Sequence, residues 1–340
     1  MTVQCSFMHQ RLTSTEATAA RVFALAGQSP VRVGVALKAG ITRGALRAAV
    51  ASGHVVSLGH GVIAVAGPGD GRATLLERCQ AHAARRPSII FSHQTGAALL
   101  HQPLLRSIDP LIRGYSTHSA RIGNLQLHEG RIPEEHIVEV GGVHVTSPLR
   151  TALDLARELP LASALIPLDA AMRMMIVQSA APGTPDDLAV ESGPDRLWVE
   201  EQAHQVLKAM RYLHGARRAA DILAQASPLA ESPAESASRG HLLLAGIEPL
   251  GLQVRVTDGD GIERRLDFLL APGLAGEVDG FIKYEGDDRK QAVRKEKRRD
   301  LALQRAGVFA VHWSGEEALW RPHAFIRVVR HALLSHGHGA

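Results

Sequence analysis

The sequence predicts a multi-domain α/β (α+β) protein, and three observations carry that reading. The first 69 residues read as short helices closed by glycines and followed by a β-hairpin. The middle alternates strand-sized apolar runs with helical stretches. The last third reads helix, three strands, helix, strand, helix, which is a small α/β sandwich. A chain of 340 residues is long enough for two or three domains with cores of their own. The expected boundaries are 1–69, an α/β middle segment at 70–179, a linker and connecting helix at 180–230, and a C-terminal α/β domain at 231–340.

Composition narrows the classes. The net charge is only +4, so local charge must carry any nucleic-acid reading. No run of about 18 uncharged apolar residues occurs, and no membrane span is expected. Residues 1–10 lack the basic-then-apolar pattern of a secretory signal. Cys5 and Cys79 are too few for a disulfide framework or a zinc knuckle and suit a reducing cytoplasm.

Taken in order, residues 16–26 form a helix closed by Gly27. Ser29-Pro30 supplies an N-cap with proline in the first turn and opens a helix through Lys38. Ala39-Gly40 is a tight turn, Thr42 caps the next helix and Gly53 ends it. Residues 54–58 and 62–65, joined by Gly59-His60-Gly61, make a hairpin. Three helices and a hairpin are the parts of a winged helix-turn-helix. Thr42, Arg43 and Arg47 then lie at the start and outer face of the helix that enters the DNA major groove, with His54 and His60 on or near the wing. Such units also serve as protein-interaction modules.

In the middle, helices are expected at 73–85, 94–100, 148–156 and 162–175, and strands at 88–92, 111–113, 125–128 and 143–145. His93, His101, His118, His128, His136 and His144 match no His-x-x-x-His face and no Cys/His set, so they read as surface or hydrogen-bonded core histidines. Residues 180–194, rich in Pro, Gly and acids, are the expected linker, followed by one helix over 195–226.

The last third holds the chemistry. Ser232-Pro233-Ala234-Glu235 is a capping box with proline at the first helical position, which by itself accounts for Glu235. Strands follow at 252–256, 264–270 and 276–284, then a helix at 288–306 dense in Arg and Lys, a strand at 308–313 and a helix at 320–334. Period two places Glu277 and Asp279 on one strand face, and a hairpin lets Asp267 come alongside. Converging carboxylates repel unless protons or a cation intervene, and hard oxygen ligands suit Mg2+ or Mn2+. The same acids also read as a solvated face pairing with Arg264, Arg265 and Lys283. The cations of the basic helix, Arg294, Arg298 and Arg299 among them, suit a phosphate backbone, while Glu296 and Asp300 can pair locally with Arg299 and Lys297.

This order of elements, with Glu235, Asp267 and Glu277-Val278-Asp279, resembles the PD-(D/E)XK restriction-endonuclease-like fold, and more closely its very-short-patch-repair-like branch. The phrases carrying the resemblance are 231–236, Leu266-Asp267-Phe268, Gly276-Glu277-Val278-Asp279-Gly280, Lys283-Tyr284 and 296–300. The first third is similar to the winged-helix region of AbiEi-family antitoxins, and residues 146–156 are similar to a phrase that accompanies it in actinobacterial relatives. The first resemblance implies metal-dependent cleavage of DNA phosphodiester bonds. Asp267 and Glu277 take the positions of the metal-binding carboxylates, and Glu235 that of the acid on the preceding helix. The departure is Asp279, where the family's signature has lysine. Asp279 is then either a third metal ligand or a mark of lost chemistry. Lys283, about 13 Å along the strand from Asp279, and Lys297 are the candidates to replace that lysine. Two functions stay open: a DNA endonuclease with a winged-helix targeting domain, or a non-catalytic DNA-binding regulator of the antitoxin type. The implied partners are DNA and either a cognate toxin or a second copy of the chain, with no membrane.

Overall fold

The computed structural model describes residues 13–27, 30–59, 61–66, 74–105, 111–192, 195–280 and 287–336, with backbone only at 188, 192 and 287–293. They fall into two compact units. One comprises Met1–Phe91, Leu111–Ile132 and Ile137–Val145; the other comprises Ser92–Pro110, Pro133–His136 and Thr146–Ala340.

In the first unit, α1 (Ser14–Ala26) opens on a full capping box. The Thr13 hydroxyl accepts from the Glu16 N–H, and the Glu16 carboxylate accepts from the Thr13 N–H. A short strand β1 (Val31–Arg32) leads into α2 (Val33–Lys38), and α3 (Arg43–Ala51) is capped by Thr42, whose hydroxyl accepts from the Ala45 N–H. Then β2 (Val55–Gly59) and β3 (Val62–Val65) form the hairpin, and β1 joins it to give an antiparallel sheet in the order β1-β3-β2. Val22, Ala36, Leu46, Val55 and Ile63 are its core. The helix expected to open at Pro30 begins at Val33 instead. Val31 and Arg32 pair with Ile63 and Val62, and this long-range ladder with burial of Val31 overrides the local cap signal. His60 lies outside the described residues.

The same unit continues with α4 (Leu75–Ala83), opened by a Thr74/Glu77 capping box. A six-stranded mixed sheet follows, built from β4 (Ile90–Phe91), β5 (Ile112–Ser116), β6 (Ala120–Ile122), β7 (Leu125–Glu129), β8 (Ile137–Val140) and β9 (Val143–Thr146), in the order β6-β7-β5-β4-β9-β8. The arms β6 and β8, which sit on the sheet edges, were not foreseen: each is only three or four residues long, too short for a periodic pattern. Burial pushes the Cys79 thiol up to about 12, so it behaves as a small core side chain.

The second unit contains α5 (His93–Leu99), α6 (Pro148–Ala156), α7 (Leu161–Ser179), α8 (Asp186–Ser192), α9 (Asp195–Ala209) and α10 (Ala216–Leu223). Its helical core gathers Leu153, Leu165, Met172, Val199 and Ile222. By length and composition α7 could cross a membrane, but its apolar window is 56% buried within the protein and it packs on α6, α9 and α11 (Pro233–Leu244). The segment expected to be a linker contains α8, because Ala189 and Val190 are apolar enough to join that core. The single helix expected over 195–226 is two, α9 ending at Ala209 and α10 starting after Gly215, whose φ of 80° is left-handed and where an added Cβ would lie 2.7 Å from the Arg157 carbonyl oxygen.

The rest of the unit is β10 (Gly251–Thr257), β11 (Glu263–Ala271), β12 (Leu274–Asp279), α12 (Asp287–Arg305), β13 (Phe309–Ser314), α13 (Gly315–Trp320) and α14 (Pro322–Ser335). The sheet order is β10-β11-β12-β13, antiparallel until β12, which runs parallel to β13 across the α12 connection. The final helix expected over 320–334 is α14, started by Pro322, and a short α13 that was not foreseen precedes it, capped by Ser314 and Glu317. Trp313 stacks on Phe325 at 5.0 Å and donates its ring N–H to the Ser238 hydroxyl, which locks β13 against α11 and α14.

Two contacts fasten α11 to α7. Asp169, fully buried, receives both Nη2 contacts of Arg239 at 2.8 and 3.0 Å. At Gly240 the two helices touch, and an added Cβ would lie 2.4 Å from the Ala162 Cα. The boundary expected at 231 therefore runs through the middle of a continuous unit. Gly240→Ala gains about 1 kcal/mol of helix propensity. Overpacking against backbone costs about 1–3 kcal/mol, so a net fall in the urea midpoint is expected.

Candidate functional site

The site is built where α11 meets the strands β10, β11 and β12. Glu235 occupies the third position of α11, where its N–H is held by the Ser232 hydroxyl at 3.1 Å. The expected capping box is half present. The Glu235 carboxylate accepts instead from the Glu231 N–H at 2.9 Å and from the Gln253 amide at 2.8 Å. This aims it at the sheet.

Asp267 sits on β11 one residue before Phe268, which pairs with Gly276, so it lies across from Glu277 on β12. The Val278 N–H donates to Asp267 at 2.8 Å, fixing that carboxylate against β12. Gln253 lies across from Asp267 on the other side, between the pairs Leu252↔Phe268 and Val254↔Leu266. Its φ is 51°, a left-handed conformation inside a strand. That conformation costs roughly 1–2 kcal/mol for a residue with a side chain. The amide it delivers bonds Glu235 and also partly offsets the rise that burial imposes on Asp267.

Electrostatics couple both glutamates to Asp267. Burial first and the charge of Asp267 second push Glu277 up to about 7 and Glu235 up to about 6. Burial also raises Asp267 above the ordinary carboxylate range. The one cation in contact with the group is Arg299 of α12, among the described residues. Its Nη2 donates to Glu277 at 2.9 Å and to the Arg265 carbonyl at 2.9 Å.

Asp279 shares the strand face of Glu277 but stands two residues further on and turns to His312 of β13, which lies opposite Glu277 in register. His312 Nδ1 is 3.2 Å from Asp279 and 3.5 Å from Glu296, and Nε2 is 3.3 Å from Asp300. These carboxylates, Asp279 foremost, raise His312 to about 9. Asp279, Glu296 and His312 are a group that could hold a metal ion, with one donor atom from each and all three within 4.8 Å of one another.

The structure thus brings Glu235, Asp267 and Glu277 together and sets Asp279 in a neighbouring cluster. Lys297 is exposed and makes no hydrogen bond or ion pair among the described residues, and Lys283 lies outside them. Arg294 and Arg298 are exposed on α12, whereas Arg299 is drawn into the acidic group. On α3, Thr42, Arg43 and Arg47 are all exposed, while Leu46 and Ala49 face the core. Sequence reasoning missed Gln253, His312 and the inward role of Arg299. Glutamine in a strand carries no local signal. His312, in an apolar strand two residues before the turn of Ser314, offered a weak one.

No protein-family model and no curated protein matches the chain.

Proposed function

We propose that this protein is a metal-dependent DNA endonuclease of the restriction-endonuclease-like kind, with a winged helix-turn-helix in its first unit. The observation that carries this reading is the placing of Glu277 and Glu235 on either side of Asp267, the first by strand register and the second through Gln253, with Glu277 buried and the other two half-buried. Three acids with one guanidinium leave more negative charge than the group can hold ionised, and carboxylate oxygens are the donor set of Mg2+ or Mn2+. Asp267 and Glu277 would hold the ion, which when bound makes water a stronger acid and screens charge growing on the phosphate. Glu235, with a pKa near neutrality, is suited to accept a proton from the attacking water. Gln253 holds it in place. Arg299 takes the place of the family's lysine: released from Glu277, its guanidinium can donate to a phosphate oxygen. The exposed cations of α12 and of α3 supply contacts to the DNA backbone.

A second reading has its own support. Asp279 stands where the family's signature has lysine, and the Arg299–Glu277 pair neutralises one acid without any metal. Those features suit a DNA-binding regulator of the antitoxin type, working with a toxin or as a self-associated chain in the cytoplasm.

Supercoiled plasmid separates the two. With Mg2+ or Mn2+ the purified protein is expected to nick or linearise it, and Asp267→Asn/Glu277→Gln to lose at least about a thousandfold in rate. Salt-sensitive DNA binding by both proteins, with no divalent-dependent cleavage by either, would leave the regulator.

A further inference from the structure

The cluster around His312 is distinct from the three acids used above, and its geometry is that of a ligand set. We propose that Asp279, Glu296 and His312 form a binding site for a first-row transition dication of the zinc type. Its existence does not depend on the hydrolytic reading.

The first argument is spacing. Two donors each about 2.0–2.1 Å from a tetrahedral zinc lie roughly 3.3 Å apart. His312 Nδ1 is 3.2 Å from Asp279 Oδ1 and 3.5 Å from Glu296 Oε1, close to two edges of such a tetrahedron. The third edge is no longer than 4.8 Å, a gap that rotation of the half-exposed Glu296 side chain closes.

The second argument is orientation from outside the ligand set. A metal-binding imidazole characteristically presents one nitrogen to the ion and donates the other N–H to a carboxylate, which fixes the tautomer. Here Nδ1 faces the two ligand carboxylates and Nε2 faces Asp300 at 3.3 Å, on the opposite side of the ring. Asp300 is one helical turn beyond Glu296 on α12, so a single helix face supplies both a ligand and the residue that orients the histidine.

The third argument is charge and donor type. Asp279, Glu296 and Asp300 surround one imidazole, so even a protonated His312 leaves the cluster negative. A dication with a neutral imidazole brings it closer to balance. One imidazole nitrogen with two carboxylates prefers zinc-type ions to Mg2+, which takes oxygen alone. Asp279 and Glu296 are 48% and 44% exposed, so the ion keeps open positions for water or an anion. Glu277 is two residues back along β12, which puts a positive charge beside the acidic group where Asp279 replaces the family's lysine.

Calorimetric titration of the full, EDTA-stripped chain with Zn2+ tests the site, with millimolar Mg2+ present. One Zn2+ per chain is expected for the unaltered protein and for Asp267→Asn/Glu277→Gln. His312→Gln and Asp279→Asn are expected to abolish that binding step. Asp300→Asn, which touches no metal, is expected to weaken it roughly 10–100-fold. Far-UV circular dichroism checks folding, and the exposed Asp279→Asn serves if the histidine variant does not fold. Absence of a stoichiometric step, or a step that persists in folded His312→Gln or Asp279→Asn, overturns the proposal. Loss of the step in Asp267→Asn/Glu277→Gln alone would assign the ion to the other acids and overturn it equally.

Discussion

Asp169→Ala is expected to remove about 3–5 kcal/mol of unfolding free energy, the cost of leaving a buried charge without its partner. Arg239 projects from α11 into the helical core and is 6% exposed, so water cannot replace the lost carboxylate. Asp169 also accepts from the Ser227 N–H at 2.8 Å, and Arg239 donates to the Gln225 carbonyl, so one deletion unsettles the connection between α10 and α11 as well. In a unit of this size the change corresponds to a fall in Tm of roughly 10 °C. Urea unfolding followed by tryptophan fluorescence measures it. Asp169→Leu/Arg239→Met, which removes both charges, is expected to cost less than either single change. A loss below about 1 kcal/mol for Asp169→Ala, small beside the usual cost of such a deletion, would show that the pair does not hold α7 to α11. Because Glu235 is on the first turn of α11, loosening this anchor also displaces a member of the acidic group.

With divalent ions chelated, stability is expected to fall by on the order of 3 kcal/mol between pH 5 and pH 8. Glu235 and Glu277 have folded-state values of about 6 and about 7, above the ordinary 4.5. The folded chain therefore binds these protons more tightly than the unfolded chain. The stabilisation is fully present below pH 4.5 and is lost as pH rises through 6 and 7. The two shifts share the charge of Asp267 and do not add in full. His312 acts in the same direction at higher pH, since its value rises from 6.5 to about 9. Glu16, Asp258 and Glu317 are lowered and act only below this window, while His136 and His241, lowered from 6.5 by burial, act against the fall in its lower part. Glu277→Gln is expected to flatten the profile and to raise stability at pH 8, as neutralising a strained acidic site commonly does. Stability that stays level or rises from pH 5 to pH 8 would contradict the burial of these acids.

Local chemistry made much of this legible. Thr42, Ser232, Pro233, Gly53 and Gly246 are start and stop signals that act within one turn, and the helices obey them. Asp267 and Glu277 could be paired in advance because a hairpin and period-two alternation determine which side chains meet. The failures that matter most to the site and the core are long-range. Pro30 lost to a ladder with residues 62 and 63, and the supposed linker became α8 because a core formed by α6, α7 and α9 was there to receive it. Arg299 resembles its neighbours in sequence, and only the docking of α12 on the sheet separates it from Arg298. Gln253 acquires its role from the register of β10 on β11, which no short window contains.

The parallel pairing of β12 with β13 has a kinetic consequence. β10, β11 and β12 join through tight turns, and such local contacts close early. β13 can reach β12 only after the stretch of 280–308 has been drawn in, a larger loop with a larger entropic barrier. Asp267 and Glu277 are thus brought face to face before the segment bearing Arg299 docks. On that order the acids meet before their counter-charge, and protons and dissolved cations in the medium are expected to ease their approach.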